Sequence, residues 1–391
     1  MTPVPDATLC LAYLGDPNEL HTRRWLAFFA SRGHRVHLLV RSDTDLESPL
    51  PEGIRIERLE PFDIRWFRPD AFLAARRAMA RVLERIEADV LHAHYLTGYG
   101  FLARLSGFRP YVITVWGSDV FRTLPESRRA RVYGRLALGG ADLVTADSVD
   151  LAEGAIAGGA HRDRTEVVQF GVDTERFSPA PRNEELLARI GLATPRVVFS
   201  PRILMPWNRH EDVIRAVATM PPDVGLLFSA LHADPEERRR LEALVDELGL
   251  RARTRFLEEI PHDQMADHLR LADVIVSVPE TDGTPVTILE ALACEVPVVA
   301  SDVPSVTEWL ADVSPELLVP IADQPATTAA IRRVLDMPPA DRAALAASGR
   351  GMVVERADHR THMLAVERRY RELAARRSAT GRGPRPVTAA R

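Results

Sequence analysis

The chain has no lysine, so all 50 of its basic residues are arginine. Any cation that binds a phosphate group here must therefore be an arginine. Cysteine is also scarce: Cys10 and Cys294 are the only two, and each lies inside an apolar segment. This placement predicts two buried thiols in a reducing compartment, and no Cys/His spacing indicates a metal site. Basic residues that are all arginine, in an Ala/Arg/Pro-rich chain, point to a high-GC bacterium.

Long apolar runs are missing too. Residues 296–300, one of the longest candidates, have the length of a strand and not of a bilayer span. The N-terminus has no basic region followed by an apolar stretch, so we expect no signal peptide. The net charge of −5 gives no support for nucleic-acid binding. We expect a cytoplasmic protein, and a peripheral position at the inner membrane face stays open.

The length of 391 residues, 46% of them hydrophobic, suits two α/β domains with a core each. Apolar strands alternate with helical patterns from residue 9 to residue 146, and again from residue 197 to residue 300. A turn-rich, polar stretch at 171–184 separates the two series. This pattern predicts an α/β fold of two Rossmann-like β/α/β domains, whose parallel sheets face a central cleft.

The same pattern sets the expected boundaries. We expect an N-terminal domain at residues 1–175 and a C-terminal domain at residues 176–355. A last helix at 356–377 precedes an Arg/Gly/Pro-rich tail at 378–391, which we expect to be disordered. Ligands bind at the carboxyl ends of the strands in such sheets, so residues at those ends are the first candidates for a site.

The most informative segment runs from Pro279 to Ala293. A polar loop with Gly283 follows a strand, and a helix begins near Pro285. Proline is favoured in the first helical turn, and the free N–H groups there form an anion site with the helix dipole. Glu290 lies further along the helix, before an apolar run, so its charge needs a partner.

This segment resembles the signature of the family 4 glycosyltransferases. In that signature an acid and then seven residues precede a Glu in a Leu-Glu-Ala run, and Pro-Val-Val-Ala-Ser follows. Here Asp282 replaces the usual first Glu, Glu290 is the second acid, and residues 297–301 are the final run. The resemblance implies that Glu290 holds the ribose hydroxyls of a nucleotide sugar and that Asp282 lies near the donor sugar. The loop residues expected to bind the donor pyrophosphate are Gly283, Thr284, Pro285 and Val286.

A second family feature is a strand that leads to an arginine, followed some residues later by another cation, and both bind the donor diphosphate. Arg202 fits the first position. The usual lysine is absent, and the spacing offers Asn208 or Arg209 in its place. We expect Arg209, because a leaving diphosphate needs a second positive charge. The alternative is that Arg209 is an exposed residue at a helix start.

The N-terminal half resembles the family mainly in the order of its motifs at 32–36, 89–94 and 115–120. In many relatives a histidine at the position of Trp116 touches the donor sugar. His94 is one candidate to replace it, and a structural role is the alternative. The family's Gly-Gly acceptor loop is absent, and His21, Arg23 and Arg24 at a helix start take its place, where they could bind an acceptor or a phosphate on it. The alternative is that Arg23 and Arg24 only line a solvated face. Residues with an expected acceptor or sugar contact are His94, Trp116, Asp119, His21 and Arg24.

The resemblance covers most of the chain and implies the GT-B fold, with the acceptor on the N-terminal domain and the nucleotide sugar on the C-terminal one. The last helix would cross back to the N-terminal domain. The implied reaction transfers a sugar to an acceptor hydroxyl with retention, without a cofactor or a metal. Arg202 and Arg209 would stabilise the departing diphosphate, together with the helix N-terminus. The acceptor could be a glycolipid, a surface polysaccharide or a secondary metabolite; donor base, sugar and oligomeric state stay open.

Two other interpretations stay open. A GT-B nucleotide-sugar epimerase would need an acid in the N-terminal half, for which Asp119 is the obvious candidate. A degenerate transferase that only binds a nucleotide sugar is suggested by Trp116 and by the missing lysine. A dinucleotide-dependent oxidoreductase would need Gly-x-Gly-x-x-Gly after the first strand, and residues 14–18 do not supply it.

Overall fold

The computed structural model describes residues 8–59, 69–169, 171–230, 233–258, 260–282 and 285–379. The chain divides into two compact units. The first consists of Met1–Phe170 with Thr361–Arg391, and the second of Gly171–Arg360.

The first unit is built on a parallel sheet. Its strands are β1 (Cys10–Leu14), β2 (Arg35–Arg41), β3 (Ile54–Leu59), β4 (Val90–His94), β5 (Tyr111–Thr114), β6 (Leu143–Ala146) and β7 (Thr165–Val167). They pair in the order β3-β2-β1-β4-β5-β6-β7. Its helices are α1 (Leu20–Ser31), α2 (Pro69–Arg85), α3 (Phe101–Ser106), α4 (Leu124–Glu126), α5 (Arg128–Gly140) and α6 (Val149–Ala157). The strand order reverses between β1 and β4, so ligand crevices are expected at their carboxyl ends.

The second unit repeats this plan. Its parallel strands are β8 (Arg196–Ser200), β9 (Val224–Ser229), β10 (Thr254–Leu257), β11 (Val274–Ser277), β12 (Val298–Ser301) and β13 (Leu318–Val319), in the order β10-β9-β8-β11-β12-β13. Its helices are α7 (Glu184–Ile190), α8 (His210–Ala218), α9 (Pro235–Glu247), α10 (Met265–Leu269), α11 (Val286–Ala293), α12 (Pro304–Leu310), α13 (Gln324–Leu335) and α14 (Pro339–Arg356). Here the order reverses between β8 and β11.

Local sequence explains where several elements lie. The central strands β1, β4, β5 and β6 are buried along their whole length, because helices cover both faces of a parallel sheet. The hydroxyls of Ser127 and Ser148 accept hydrogen bonds from the backbone N–H groups of Ala130 and Leu151. These serines are the caps that start α5 and α6.

The last helix, α15 (His359–Ala379), belongs to the first unit from Thr361 onward. Tyr370 is fully buried, and its hydroxyl accepts hydrogen bonds from Trp25 Nε1 at 3.2 Å and from the Tyr13 hydroxyl at 3.3 Å. It also bonds His92 Nδ1. Burial lowers the pKa of His92 well below its usual value, so the ring is neutral and can accept the Tyr370 proton.

The helix continues beyond its predicted end. The Ser378 hydroxyl donates to the carbonyl of Ala374, and the Arg377 guanidinium lies over the Phe108 ring. The helix includes residues 378 and 379, where we expected disorder, and the rest of the predicted tail lies outside the described residues. None of the helices among the described residues combines the length and the apolar composition of a membrane span.

Both cysteines are buried, as predicted. Cys10 is 0% exposed and Cys294 is 4% exposed, and neither forms a disulfide. Burial raises the pKa of Cys10 to about 11 and that of Cys294 to about 12. Both thiols are therefore protonated at neutral pH and act as small apolar side chains of the core.

Candidate functional site

The strand reversal of the second sheet brings together two of the predicted site residues. Arg202 follows the carboxyl end of β8, and Asp282 follows the carboxyl end of β11. Arg202 Nη2 donates to Asp282 Oδ1 at 3.1 Å, and the two side chains are 21% and 6% exposed. The Ser305 hydroxyl donates to the Asp282 carbonyl at 3.0 Å and so ties this loop to α12. The pair lies where an open α/β sheet binds its ligand.

The helix α11 begins directly after this loop. Pro285 is buried and precedes the first helical residue, Val286, instead of lying inside the first turn. Glu290 is 5% exposed, in a helix whose residues from Ile288 onward are all buried. Gly283 and Thr284 lie outside the described residues, so their expected donor contacts stay predictions. The N-terminus of α11 and the buried Glu290 thus follow Asp282 within a few residues along the chain.

The second predicted cation, Arg209, lies among carboxylates. Its Nε donates to Asp212 Oδ2 at 2.7 Å and its Nη1 to Glu280 Oε1 at 3.1 Å, and Glu211 Oε1 is 3.7 Å away. The hydrogen bond to Asp212 is the main reason that the pKa of Arg209 is raised. The residue also has a left-handed backbone with φ +51°, which is uncommon outside glycine. A phosphate that binds Arg209 must compete with these acids.

Asn208, the other candidate for that position, has a structural role. It is 2% exposed, and its side-chain amide donates to the Ile203 carbonyl at 2.8 Å. Arg209, at 20% side-chain exposure, is the more accessible of the two.

Glu280 is a site residue that we did not predict. Its backbone N–H donates to the Trp207 carbonyl at 2.8 Å, and its carboxylate binds Arg209. It therefore links the loop after β11 to the loop after β8. Its position two residues before Asp282 in an acidic loop was the only signal in the sequence.

In the first unit, the structure brings together His21, His94 and Trp116. They come from α1, from the end of β4 and from the loop after β5, next to the strand reversal. The His21 ring stacks on the Trp116 indole, with centroids 4.9 Å apart and an interplanar angle of 18°. His94 meets Trp116 edge-on at 5.8 Å, and its Nδ1 lies 3.2 Å from the Thr22 hydroxyl.

His94 is a buried, neutral imidazole. Its exposure is 2%, and burial, with a smaller effect from His21, lowers its pKa to about 3. Its Nε2 is buried and has no hydrogen-bond partner among the residues that the structure describes. A buried ring nitrogen without a hydrogen bond costs free energy, so a ligand hydroxyl or a water molecule is a suitable partner for Nε2.

The expected sugar contact of Asp119 does not fit the structure. The residue is 0% exposed, and burial raises its pKa. Its Oδ2 accepts the N–H of Leu96 at 2.8 Å, and its Oδ1 accepts the N–H groups of Trp116 and Val120, each at 3.0 Å. The carboxylate therefore holds the loop backbone and positions Trp116, and it has no surface to offer a substrate.

The arginines at the start of α1 differ in role. Arg23 donates to the carbonyls of Pro17 and Ser48, at 2.9 Å and 3.3 Å, and also to that of Pro49. Its guanidinium therefore ties down a loop. Arg24 is half-buried on α1, and its expected acceptor contact stays a prediction.

Tyr95, directly after β4, is a second residue that sequence reasoning missed. Its φ of +85° is unusual for a bulky residue, and such strain clusters at functional sites. Its hydroxyl lies 2.7 Å from Ser118 Oγ, and its N–H donates to the Thr114 carbonyl at 2.9 Å. Nothing in the residue type signals this backbone in advance.

No group of three or more His, Cys, Asp or Glu side chains within the described ranges could hold a metal ion. The absence of a metal requirement stays a prediction.

Comparison with known families decides the affiliation of the chain. Residues 10–148 match the family described as "Glycosyl transferase 4-like", and residues 183–352 match "Glycosyl transferases group 1". Each of these two segments therefore belongs to a glycosyltransferase family. The two parallel sheets constitute the GT-B fold, which confirms the predicted fold class.

Individual relatives agree with this affiliation. The chain is 34% identical over 269 residues to a D-inositol 3-phosphate glycosyltransferase of Geodermatophilus obscurus, an alignment that covers 63% of this chain and 59% of the relative. The chain thus spans less than two thirds of that protein.

Two solved structures have the same fold. HepE of Anabaena, in complex with UDP and glucose, aligns over 93% of this chain and 100% of its own, with a TM-score of 0.76 and 21% identity. A trehalose-6-phosphate synthase, studied for glycosyl transfer with retention, aligns over 93% of this chain and 99% of its own, with a TM-score of 0.70 and 14% identity.

Proposed function

We propose that this protein is a retaining glycosyltransferase, which transfers a sugar from a nucleoside diphosphate sugar to an acceptor hydroxyl. The observation that carries the proposal is the Arg202–Asp282 pair at the strand reversal of the second unit, followed by α11 with its buried Glu290. A cation, a helix N-terminus and an acid in this order suit a diphosphate joined to a ribose.

The donor contacts follow from the chemistry of these groups. The carboxylate of Glu290 is the acceptor for the two ribose hydroxyls. The diphosphate takes the Arg202 guanidinium in exchange for Asp282, which leaves the Asp282 carboxylate for a hydroxyl of the sugar. A likeness in fold to HepE, which binds UDP and UDP-glucose, supports a nucleotide sugar as the donor.

The chemical step needs charge stabilisation more than a nucleophile. As the bond from the anomeric carbon to the phosphate oxygen breaks, negative charge grows on the leaving diphosphate, next to Arg202 and the N-terminus of α11. Arg209 adds a second cation once the diphosphate displaces its carboxylate partners. The leaving phosphate oxygen takes the proton of the acceptor hydroxyl, whose oxygen bonds to the anomeric carbon on the same face. A likeness in fold to the trehalose-6-phosphate synthase, studied for glycosyl transfer with retention, supports the retaining outcome.

The acceptor surface is proposed around the stacked pair of His21 and Trp116. An aromatic face packs well on the C–H face of a sugar or a polyol ring. The Nε2 of His94 would bind a hydroxyl of the substrate there, as a neutral imidazole. The relative named for D-inositol 3-phosphate supports a ring polyol or a sugar as the acceptor class. Acceptors of this class include a glycolipid, a surface polysaccharide and a secondary metabolite that carries such a ring.

Nothing in the geometry favours an epimerase, because Asp119, its candidate acid, is enclosed by backbone N–H groups. A protein that only binds the donor is distinguished by its lack of slow donor hydrolysis when no acceptor is present.

The test is a thermal-shift and calorimetric screen of UDP, GDP, ADP and dTDP and their common sugars, first without metal. We expect one nucleotide to bind, and Glu290→Ala to abolish that binding. Glu355→Ala, an exposed acid on α14, is the matched control and should leave binding unchanged. NMR of the product anomer then tests retention. Failure of all four nucleotides, with and without Mg²⁺ or Mn²⁺, would refute the proposed donor site.

A further inference from the structure

The exposed face of α5 has an unusual composition. The helix carries four exposed arginines, Arg128, Arg129, Arg131 and Arg135. Two large apolar side chains are exposed on the same helix, Val132 at 55% and Leu136 at 50%. We call these six residues the α5 face.

The helical spacing puts these six residues on one side. Val132 and Leu136 are four apart and therefore adjacent along the surface. At 100° per residue, Arg128, Arg131 and Arg135 flank them on one side and Arg129 on the other. The opposite side, with Gly134, Ala137 and Leu138, is buried. The apolar pair thus runs between two borders of positive charge.

Among the described residues, no acidic side chain pairs with these arginines. Some exposed arginines elsewhere have an acidic partner, as in Arg162–Glu153 and Arg251–Asp246. Of the four α5 arginines, only Arg131 forms a side-chain hydrogen bond within the described ranges, to the Pro125 carbonyl at 3.0 Å. The first turn of α5 has no acid. Arginines there oppose the helix dipole, and arginines three and four apart repel one another.

An external partner explains a face that is unfavourable for the isolated helix. We propose that the α5 face docks on an anionic phospholipid surface, with Val132 and Leu136 inserted at the boundary of headgroups and acyl chains. A row of arginines around an apolar pair is the composition of an interfacial helix. Four arginines would repel the same face of a second copy. The apolar centre and the net charge of −5 disfavour a nucleic acid. This inference does not depend on the donor chemistry proposed above.

The test is co-sedimentation of the full chain with two kinds of vesicle. One is phosphatidylcholine alone and the other contains about 30% phosphatidylglycerol, in about 0.1 M salt. We expect binding to the anionic vesicles, release at high salt, and little binding to the neutral ones. The double variant R128Q/R135Q should lower the partition constant about 25-fold, because each arginine near such a surface contributes about fivefold.

Matched variants separate the α5 face from net charge. Arg189→Gln with Arg333→Gln removes the same charge from exposed helix positions of the second unit, and should weaken binding far less. The double variant V132Q/L136Q keeps the charge and should still lose about tenfold. Val354→Gln, on α14 and 44% exposed, is its control. All variants lie at exposed positions, and thermal unfolding verifies that each is folded.

Several results would overturn the proposal. One is no binding to anionic vesicles; another is equal loss in R128Q/R135Q and in the control pair. Binding that needs the arginines but ignores V132Q/L136Q would mean simple charge attraction without insertion. A change of oligomeric state in the α5 variants, with vesicle binding unchanged, would mean a contact between copies. Binding to a nucleic acid or an acidic protein, without vesicle binding, would replace the lipid as the partner.

Discussion

Replacing Glu367 tests how the last helix is held on the first unit. Its carboxylate, 4% exposed, accepts hydrogen bonds from Arg32 Nε at 3.0 Å, Arg371 Nη2 at 2.7 Å and His34 Nε2 at 3.1 Å. His34 Nδ1 accepts the N–H of Leu9 at 3.1 Å, so the ring proton lies on Nε2 and faces Glu367. Glu367 therefore connects α15 to residues next to β1 and β2.

The expected size of the effect follows from the pKa of Glu367. Burial raises this pKa, but the hydrogen bonds from Arg32, Arg371 and His34 outweigh burial and hold it at about 2, against a usual 4.5. The difference corresponds to about 3 kcal/mol of stability at neutral pH. Because the folded-state pKa is depressed, this stability is complete above about pH 4.5 and is lost as the pH falls toward 2.

Burial also lowers the pKa of His34, and the bond to Glu367 only partly opposes this. The folded protein therefore favours neutral His34. The contribution of His34 to the stability of the fold therefore decreases as the pH falls below 6.5, the usual pKa of histidine. Glu367 has the same direction of pH dependence.

The assay is urea unfolding between pH 7 and pH 2.5, with hydrogen exchange of β1 and α15 peptides to identify the transition of the first unit. Glu367→Gln should lower the free energy of unfolding by about 3 kcal/mol at pH 7, and the difference should shrink below pH 4.5. Glu372→Gln is the control on the same helix. Its carboxylate pairs with Arg369 and is 50% exposed, so we expect a loss of less than about 1 kcal/mol. Equal losses in both variants, or a Glu367→Gln deficit that does not change with pH, would refute the reasoning.

Two further substitutions test the site and the core. Arg202→Ala should raise the barrier of the chemical step by about 2–4 kcal/mol, measured as kcat with a saturating donor. The control Arg215→Ala, at an exposed position on α8, should leave kcat unchanged. An unchanged kcat in Arg202→Ala would mean that this arginine does not bind the diphosphate. Tyr370→Phe should destabilise the first unit by about 1–3 kcal/mol, because it leaves the buried Trp25 N–H and His92 Nδ1 without their partner. An unfolding midpoint at the same urea concentration as the wild type would contradict this prediction.

Periodicity was sufficient to predict the plan of the fold. Strands and helices alternate over both predicted ranges, 9–146 and 197–300, except that β3 follows β2 with no helix between them. Strands β7 and β13 lie outside these ranges, and both are edge strands, as is β3. β3 and β7 are only partly buried, so they lack the continuous apolar run that identifies a central strand.

The candidate donor residues were identified from a motif, which fixes residue types along the chain but not contacts. The order of Asp282 and Glu290 indicated a loop followed by a helix, and the structure has this arrangement. The sequence could not show that Arg202 pairs with Asp282, or that Arg209 is held by Asp212 and Glu280. The Arg202–Asp282 and Arg209–Glu280 contacts join residues that are 80 and 71 positions apart, in loops that only the pairing of β8 with β11 brings together.

The sequence by itself determined the class of fold and the distribution of apolar and polar residues along the chain. It also determined that every cationic side chain other than histidine is an arginine. Those properties depend on composition and on short-range periodicity, which each segment carries locally. The tertiary structure alone decided which polar groups became accessible. Asp119 was expected to contact a substrate and is enclosed by three backbone N–H groups. Helix α5, in contrast, exposes four arginines that form no ion pair with any described residue. Burial and pairing depend on neighbours that are distant in sequence, so they exist only once the chain has folded.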